Sequence, residues 1–404
     1  VDRYRNTFAE INLDHLAHNF EAIRKALPEA PFLCPMVKAN AYGHGDVPAA
    51  RCLEQLGAKH LGVCLIEEGL SLREAGIQTD ILVFRGFDER GAQKILDARL
   101  TPVVSTWEQF EILENLGRGS GKAVQIHLKF NTGMNRLGFQ PDEARRLFDR
   151  CWQNKTLRVQ GILTHLYNGE DSLDPESSTG HQLRGLEGIG EIFKPLNPVM
   201  HALNSSGIIN AVGLRTRANQ QALANHPLTR VRWGLRPGLM LYGFNSTPIK
   251  DAVPLKTVMT LRSEAGNFRE IEPGEIVSYG GTWKAYKKSR IAVVPVGYAD
   301  GYHRCLSNKS SVLYRGQRVP VVGNICMDFF MIDISAVPTS SSPVSGGASD
   351  EVTLFGESRE GQVLSAEELA GLANTISYEI LTSVSYRVPR VYVGKWAAKL
   401  GVSR

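Results

Sequence analysis

Several features that would narrow the role of this 404-residue chain at once are missing. It has no basic run of the kind that tracks nucleic acid, and its net charge of +5 is mild and dispersed. A nucleic-acid partner is therefore not expected, although a small anionic ligand stays compatible with the charge. No apolar run is long enough to span a bilayer, and Val1–Thr7 is polar and basic without an apolar signal region. The expectation is a cytoplasmic protein with no membrane partner. The six cysteines, Cys34, Cys52, Cys64, Cys151, Cys305 and Cys326, show no paired spacing. Several sit inside apolar runs, so they read as reduced core residues, not as a disulfide frame or a metal site. A Gly-rich dinucleotide fingerprint is absent, and so is any internal repeat.

What is present describes an ordinary globular chain, 43% hydrophobic and 22% charged, long enough for two or three domains. After a short strand at Phe8–Leu13, Asp14 is expected to cap an amphipathic helix through Ala26. Apolar runs then recur at Phe32–Val37, His60–Ile66, Ile81–Phe84, Thr101–Ser105, Val124–Phe130, Val159–His165, His201–Ser205 and Thr229–Leu235. Stretches of helical period such as Val47–Leu56, Glu67–Ala75, Gly91–Ala98, Thr106–Leu116 and Pro141–Gln153 separate them. Eight strands alternating with helices predict an α/β fold, an N-terminal (β/α)8 barrel over residues 8–246, in preference to a doubly wound sheet. From residue 247 on, short β-branched runs between Gly, Pro and Asn turns predict a C-terminal mostly-β domain, 247–404, with residues 1–7 as a candidate addition to it. Within it Ser365 and Glu368 form a capping-box pattern, and Pro338–Ser349 reads as a surface loop.

The stretch MVKANAYGHG, Met36–Gly45, places Lys38 at a strand terminus before a loop holding Tyr42 and two glycines. A desolvated lysine there forms a Schiff base with either a carbonyl substrate or pyridoxal phosphate; a surface ion pair is the plainer alternative. Barrel enzymes carry their chemistry at the C-terminal ends of strands. Lys129 ends the fifth run with Arg136 just beyond, His165 ends the sixth, Asn204 and Ser205 end the seventh, and Arg236 follows the eighth. Polar residues that bind anions or move protons thus recur at one end. Taken singly, Lys129 could be an ion-pair partner, His165 a core histidine, Ser205 a helix cap and Arg236–Gly238 a plain turn.

Longer motifs run in order through the whole chain: VKANAYGHG at Val37–Gly45, TGMNRLG at Thr132–Gly138, HALNSS at His201–Ser206 and LRPGLMLYG at Leu235–Gly243. They continue with VSYGGTW at Val277–Trp283, VGYADGYHR at Val296–Arg304, NICMD at Asn324–Asp328, TISYEIL at Thr375–Leu381 and RVPRVYV at Arg387–Val393. In these motifs the chain resembles the alanine racemase family of pyridoxal-phosphate enzymes.

That resemblance implies interconversion of L- and D-alanine, supplying D-alanine for peptidoglycan, by a homodimer with shared active sites. A broader amino-acid racemase and a decarboxylase of similar architecture are the alternatives among enzymes. By resemblance Lys38 carries the cofactor and serves as one base, while Tyr279, from a partner subunit, is the other. Racemisation needs two, because a proton removed from one face of Cα is replaced on the opposite face. Tyr42, Asn204, Ser205, Gly238, Leu239 and Tyr378 would hold the cofactor and its phosphate. Arg236 would face the pyridine nitrogen, with His165 and His201 beside it. Arg136, Met327, Tyr298 and Asp328 would bind or border the substrate, and Lys129 matches a lysine that is carbamylated in many family members. One departure is the segment Leu166–Asp171, where the family usually carries small residues and an acidic pair; it bears on substrate breadth.

Overall fold

The computed structural model describes residues 4–120, 123–153, 156–171, 174, 176–217, 231–250, 252–338 and 350–402. The chain divides into two compact units, one of His15–Ala41 and Asp46–Lys256, the other of Val1–Asp14, Tyr42–Gly45 and Thr257–Arg404. Strand β1 (Phe8–Asn12), expected at the start of the barrel domain, pairs instead within the mostly-β unit.

In the first unit seven strands lie parallel in chain order: β2 (His60–Val63), β3 (Asp80–Val83), β4 (Thr101–Val104), β5 (Val124–Lys129), β6 (Leu157–Leu163), β7 (Val199–Leu203) and β8 (Gly234–Leu235). Beyond their first residues β2, β3 and β4 are buried on both faces, as parallel strands covered by helices must be. Helix Ala144–Gln153 shows why the covering elements form. It buries Ala144, Leu147, Phe148 and Cys151, one stripe at spacings of three and four.

The first expected strand, Phe32–Val37, is reduced to isolated parallel bridges, Leu33 to Leu235 and Met36 to Gly62. Pro31 and Pro35 explain this, since each removes a ladder donor. The segment nevertheless closes the ring. On one side Cys34 N–H donates to Leu235 O and Met36 N–H to Pro237 O, both at 2.9 Å; on the other, Val37 N–H donates to Gly62 O at 2.8 Å. Phe32, Cys34, Leu82, Val103 and Leu163 form the core inside. The eighth run begins at Thr229, outside the described residues; what is described of it is the two-residue β8.

Lys38–Tyr42 departs further from expectation. Ala39, Asn40, Ala41 and Tyr42 all have φ between 51° and 55°, a left-handed turn built without glycine. For L-residues this conformation costs roughly 1–2 kcal/mol per residue, so neighbouring groups must hold it. Two helices, Ser178–Phe193 and Ser205–Arg217, lie outside the expected stretches of helical period, the second starting where Ser205 reads as a helix cap. The first contains Gly180, Gly185, Gly188 and Gly190, poor helix formers that blur the pattern. Packing explains one of them, because a Cβ at Gly190 would lie 2.5 Å from the Met200 sulfur.

The second unit is built on a ten-stranded sheet. Strand β1 runs antiparallel to β9 (Met259–Glu264) and parallel to β17 (Arg390–Val393). The order from β9 outward is β15 (Glu351–Glu357), β12 (Ser311–Tyr314), β13 (Gln317–Val322), β14 (Phe330–Asp333), β11 (Ser289–Val294) and β10 (Gly266–Ile271), with β16 (Val363–Leu364) paired to β15 off this path. Asp14 does not cap the helix Leu13–Ala26; Asn12 does, accepting from Asp14 N–H at 3.0 Å. The Asp14 carboxylate instead accepts from Lys395 and Trp396 N–H, each at 2.9 Å, at the start of the last helix. Ser365 caps helix Ala366–Ala373 through Glu368 N–H, but the Glu368 carboxylate pairs with Arg318 and does not complete a capping box. The expected loop at Pro338–Ser349 lies, from residue 339 on, outside the described residues.

Candidate active site

At the C-terminal ends of the barrel strands the side chains are cationic. Lys129 is the last residue of β5 and is buried. Burial first, then the charges of Arg136, Arg236 and Lys38, push its ammonium down to about 8. His165, just past β6, is held well below the ordinary imidazole value by burial, then by Arg236, Arg136, Lys129 and Lys38. Five of the expected site residues therefore share one electrostatic environment, and it is one that favours an anion.

Arg236 follows β8 and is 4% exposed. Its Nη1 donates to His201 O at 2.6 Å and to His201 Nδ1 at 2.9 Å; its Nη2 donates to Thr164 O at 2.7 Å and to Ala202 O at 3.3 Å. Both Nη groups are thereby fixed to β7 and the end of β6. Because Nδ1 of His201 accepts from a guanidinium, its proton sits on Nε2, which lies 2.8 Å from His127 Nδ1. His127 must then accept as well. The column Arg236–His201–His127 is consistent only with two neutral histidines. Burial and the arginine charge push His201 well below the ordinary range, while burial and the charges of His60 and Arg236 push His127 down to about 3.

The turn after Arg236 meets the start of helix Ser205–Arg217. Ser205 Oγ accepts from Gly238 N–H at 3.0 Å and from Met240 N–H at 3.2 Å, and Leu239 lies between those two amides. Asn204 caps the helix through Gly207 N–H at 3.0 Å. A helix N-terminus beside a turn of amides is a natural seat for a phosphate. Lys38, Lys129, Arg136, His165, His201, Asn204, Ser205, Arg236, Gly238 and Leu239 are all in this unit.

Tyr42, Tyr279, Tyr298, Met327, Asp328 and Tyr378 are in the other. There the Tyr42 and Tyr378 rings stand with centroids 6.0 Å apart. Gly43 has φ +86°, and a Cβ on it would come within 2.3 Å of Leu381 O, so only glycine seats this loop on helix Ser377–Ser383. The remaining four gather around the loop from Asn324 to Phe329. Asn324 Nδ2 donates to Tyr279 O at 2.7 Å, Ala299 N–H donates to Met327 O at 3.1 Å, and Asp328 accepts from Arg387 at 2.7 Å. Tyr279 is 74% exposed, Met327 53% and Tyr298 43%.

His127 and Gln182 were missed by sequence reasoning, while Thr164 and Met240 fall within motifs but had been given no role. For His127 a signal existed: it stands two residues before Lys129 in an apolar strand, on the same face. Gly161 leaves it room, since a Cβ there would be 2.3 Å from Nδ1. Gln182 had no local signal. Its amide donates to His165 O at 3.0 Å and accepts from Tyr167 N–H at 3.1 Å, tying the loop after β6 to a helix 15 residues on.

Comparison with known proteins places this geometry among relatives. Residues 11–246 match the family described as alanine racemase, N-terminal domain, and residues 258–392 the alanine racemase, C-terminal domain. The alanine racemase of Desulfovibrio desulfuricans is 36% identical over 96% of this chain and 98% of its own length. Among solved structures, the Clostridium difficile alanine racemase matches with a TM-score of 0.83 at 30% identity, covering 98% of this chain and 97% of that one. The Bartonella henselae alanine racemase, described with covalently bound pyridoxal phosphate, matches with a TM-score of 0.81 at 28% identity over 96% and 99%.

Proposed function

The chain belongs to the alanine racemase family, and from that premise we propose how its own residues interconvert L- and D-alanine with pyridoxal phosphate. When bound, the cofactor supplies an electron sink that acidifies the Cα–H of the amino acid held on it. The residues of the barrel unit fit such a group. Ser205, the amides of Gly238 and Leu239 and the helix start at Asn204 suit a phosphate; on the other unit Tyr42 and Tyr378 offer hydroxyl donors. Lys38 would hold the cofactor covalently.

The observation that carries this reading is the fixing of Arg236 by carbonyls and a neutral histidine. A guanidinium has no acceptor atom and stays charged, so beside the ring nitrogen of a bound cofactor Arg236 would donate to that nitrogen and oppose its protonation. A carboxylate there would do the reverse. Arg236 would thus leave the sink moderate, which suits proton exchange at Cα and argues against a decarboxylase.

Lys38 and Tyr279 act as the two bases on opposite faces of Cα, each taking the proton from one enantiomer and returning one to the other. Arg136 orients the tyrosine base and the substrate carboxylate. Met327 binds that carboxylate through its backbone, and Tyr298 and Asp328 border the entrance. Buried among cations at about 8, Lys129 is the lysine suited to carbamylation, which makes it an anion facing Arg136. The exposure of Tyr279, Met327 and Tyr298 on one unit supports a homodimer in which they complete the partner's site. The product, D-alanine, would serve peptidoglycan assembly in the cytoplasm.

The test is exchange of solvent deuterium into Cα of both enantiomers. Lys38→Ala abolishes it together with the cofactor's visible absorbance, and retention of full racemase activity by that variant ends the reading. One observation bears on a broader racemase as the second reading: Leu166 is buried and Tyr167 half exposed where the family usually carries small residues, so substrate breadth is open to test. Product chirality across a panel of amino acids decides between the two.

A further inference from the structure

The left-handed turn after Lys38 is held from both sides. Upstream, Val37 O accepts from Ala41 N–H at 2.9 Å. Downstream, the N–H of Ala39, which belongs to the peptide joining it to Lys38, donates to Glu68 Oε1 at 2.7 Å. The two peptide planes that flank the Lys38 Cα are therefore both pinned, and one of the pins is a side chain. Glu68 sits in the first turn of helix Ile66–Glu74. Its other oxygen, Oε2, accepts from Cys64 N–H at 2.7 Å and Leu65 N–H at 3.0 Å, past the end of β2.

A carboxylate whose work was only to cap the helix would need no more than the bonds of Oε2. Oε1 reaches 29 residues back along the chain to the one amide that sets the direction of the following residues. With four successive residues at positive φ, that stretch has an alternative, right-handed course open to it that would swing the Lys38 side chain away. We propose that Glu68 is a positioning residue: by bonding the Ala39 amide it locks the left-handed turn to the rim of the barrel and so aims the Lys38 amine at its site. The proposal rests on the reading of Lys38 as the cofactor's lysine. It also explains why an ionised residue is needed. Three amide donors converge on two oxygens, and an amide side chain would turn an NH2 group toward one set of them.

Three measurements on the full-length protein test it. Borohydride reduction of the wild-type holoenzyme followed by peptide mapping first identifies the modified lysine; a lysine other than Lys38 overturns the reading of the site, whatever Glu68 does. Hydrogen exchange of the peptide covering residues 38–45 is then compared, in the apoprotein, between wild type, Glu68→Gln and Leu72→Ala. Leu72 is a fully buried core residue of the same helix and calibrates loss of stability alone. The expected result is exchange accelerated at least about tenfold in Glu68→Gln, the loss of a charged hydrogen bond, and not in Leu72→Ala at matched stability.

Attachment of pyridoxal phosphate, followed by its visible absorbance, is expected to slow in Glu68→Gln, and kcat to fall on the order of 10²-fold with KM nearly unchanged, as for a displaced reacting group. Glu68→Asp, which keeps the charge, restores part of both. Wild-type exchange in residues 38–45 and a wild-type attachment rate in a Glu68→Gln protein with lowered Tm would show that the residue is a helix cap and nothing more. Should Glu68→Gln fail to fold, Glu68→Asp is put to the same comparison: its shorter side chain keeps the charge but meets both sets of donors only at stretched distances, so wild-type exchange there refutes the proposal.

Discussion

His127 is buried, and its folded-state value is pushed down to about 3 by desolvation first, then by the His60 and Arg236 charges. In the unfolded chain it titrates at the ordinary 6.5. The unfolded state therefore binds a proton that the folded state does not as pH falls below 6.5, so stability is complete above 6.5 and is lost on acidification down to about 3. One pH unit is worth 1.36 kcal/mol, so between pH 6.5 and pH 5 this one residue removes about 2 kcal/mol of stability. His127→Phe tests it, since the ring fills the same space and cannot titrate. At pH 7 the variant is less stable by roughly 1–3 kcal/mol, because His201 Nε2–H loses its buried acceptor. Between pH 7 and pH 5, however, it should lose about 2 kcal/mol less than wild type. The assay is urea unfolding of the apoprotein at both pH values. An acid loss equal in the two proteins would show that His127 is not held neutral and would refute the tautomer assignment of the column.

Three further outcomes are expected. Ser205→Ala leaves the Gly238 and Met240 amides without their shared acceptor, which should lower apoprotein stability by roughly 1–3 kcal/mol and weaken cofactor affinity, read by equilibrium dialysis against pyridoxal phosphate. Removing dissolved CO2 should lower activity, and bicarbonate should restore it, because the neutral amine of Lys129 populated near pH 8 is the form that reacts; intact mass spectrometry should find one added CO2 in wild type and none in Lys129→Ala. Tyr279→Phe should keep the cofactor's absorbance and Cα exchange with one enantiomer while losing racemisation by several powers of ten, and mixing it with Lys38→Ala subunits should restore a fraction of activity if the sites are shared.

The sequence made the strand ends legible because a barrel confines its polar residues to one rim. Lys129, His165, Asn204, Ser205 and Arg236 all fall at or just past the ends of β5, β6, β7 and β8, as the apolar runs predicted. Less legible was anything decided by long-range contact. Phe8–Asn12 has the alternation of any half-buried strand, and nothing local says that its partners are Met259–Glu264 and Arg390–Val393. The turn at Ala39–Tyr42 was invisible for a related reason. Alanine has high helix propensity but disfavours positive φ, so its residues there contradict the conformation that the Ala39–Glu68 contact imposes. His127 was legible in part, standing two residues before Lys129 on the same face of β5.

These failures share a physical logic. The site demands fixed cations, and the barrel supplies no described carboxylate among the charges that act on Lys129, His165 or Arg236. Something other than a counter-ion must then hold Arg236 in place, and what does so is carbonyl oxygen and imidazole nitrogen. Imidazole serves only while neutral, which requires burial, and burial requires room: a Cβ at Gly161 or Gly234 would come within 2.3 Å of the His127 ring or 2.6 Å of the His201 Cβ. Those two glycines, lying in or beside barrel strands where glycine ordinarily weakens pairing, are thus consequences of the charge at Arg236. The same reasoning accounts for a carboxylate at Glu68. Placed on backbone amides, and not among the charges that act on Lys129, His165 or Arg236, it holds the Lys38 turn without neutralising their field.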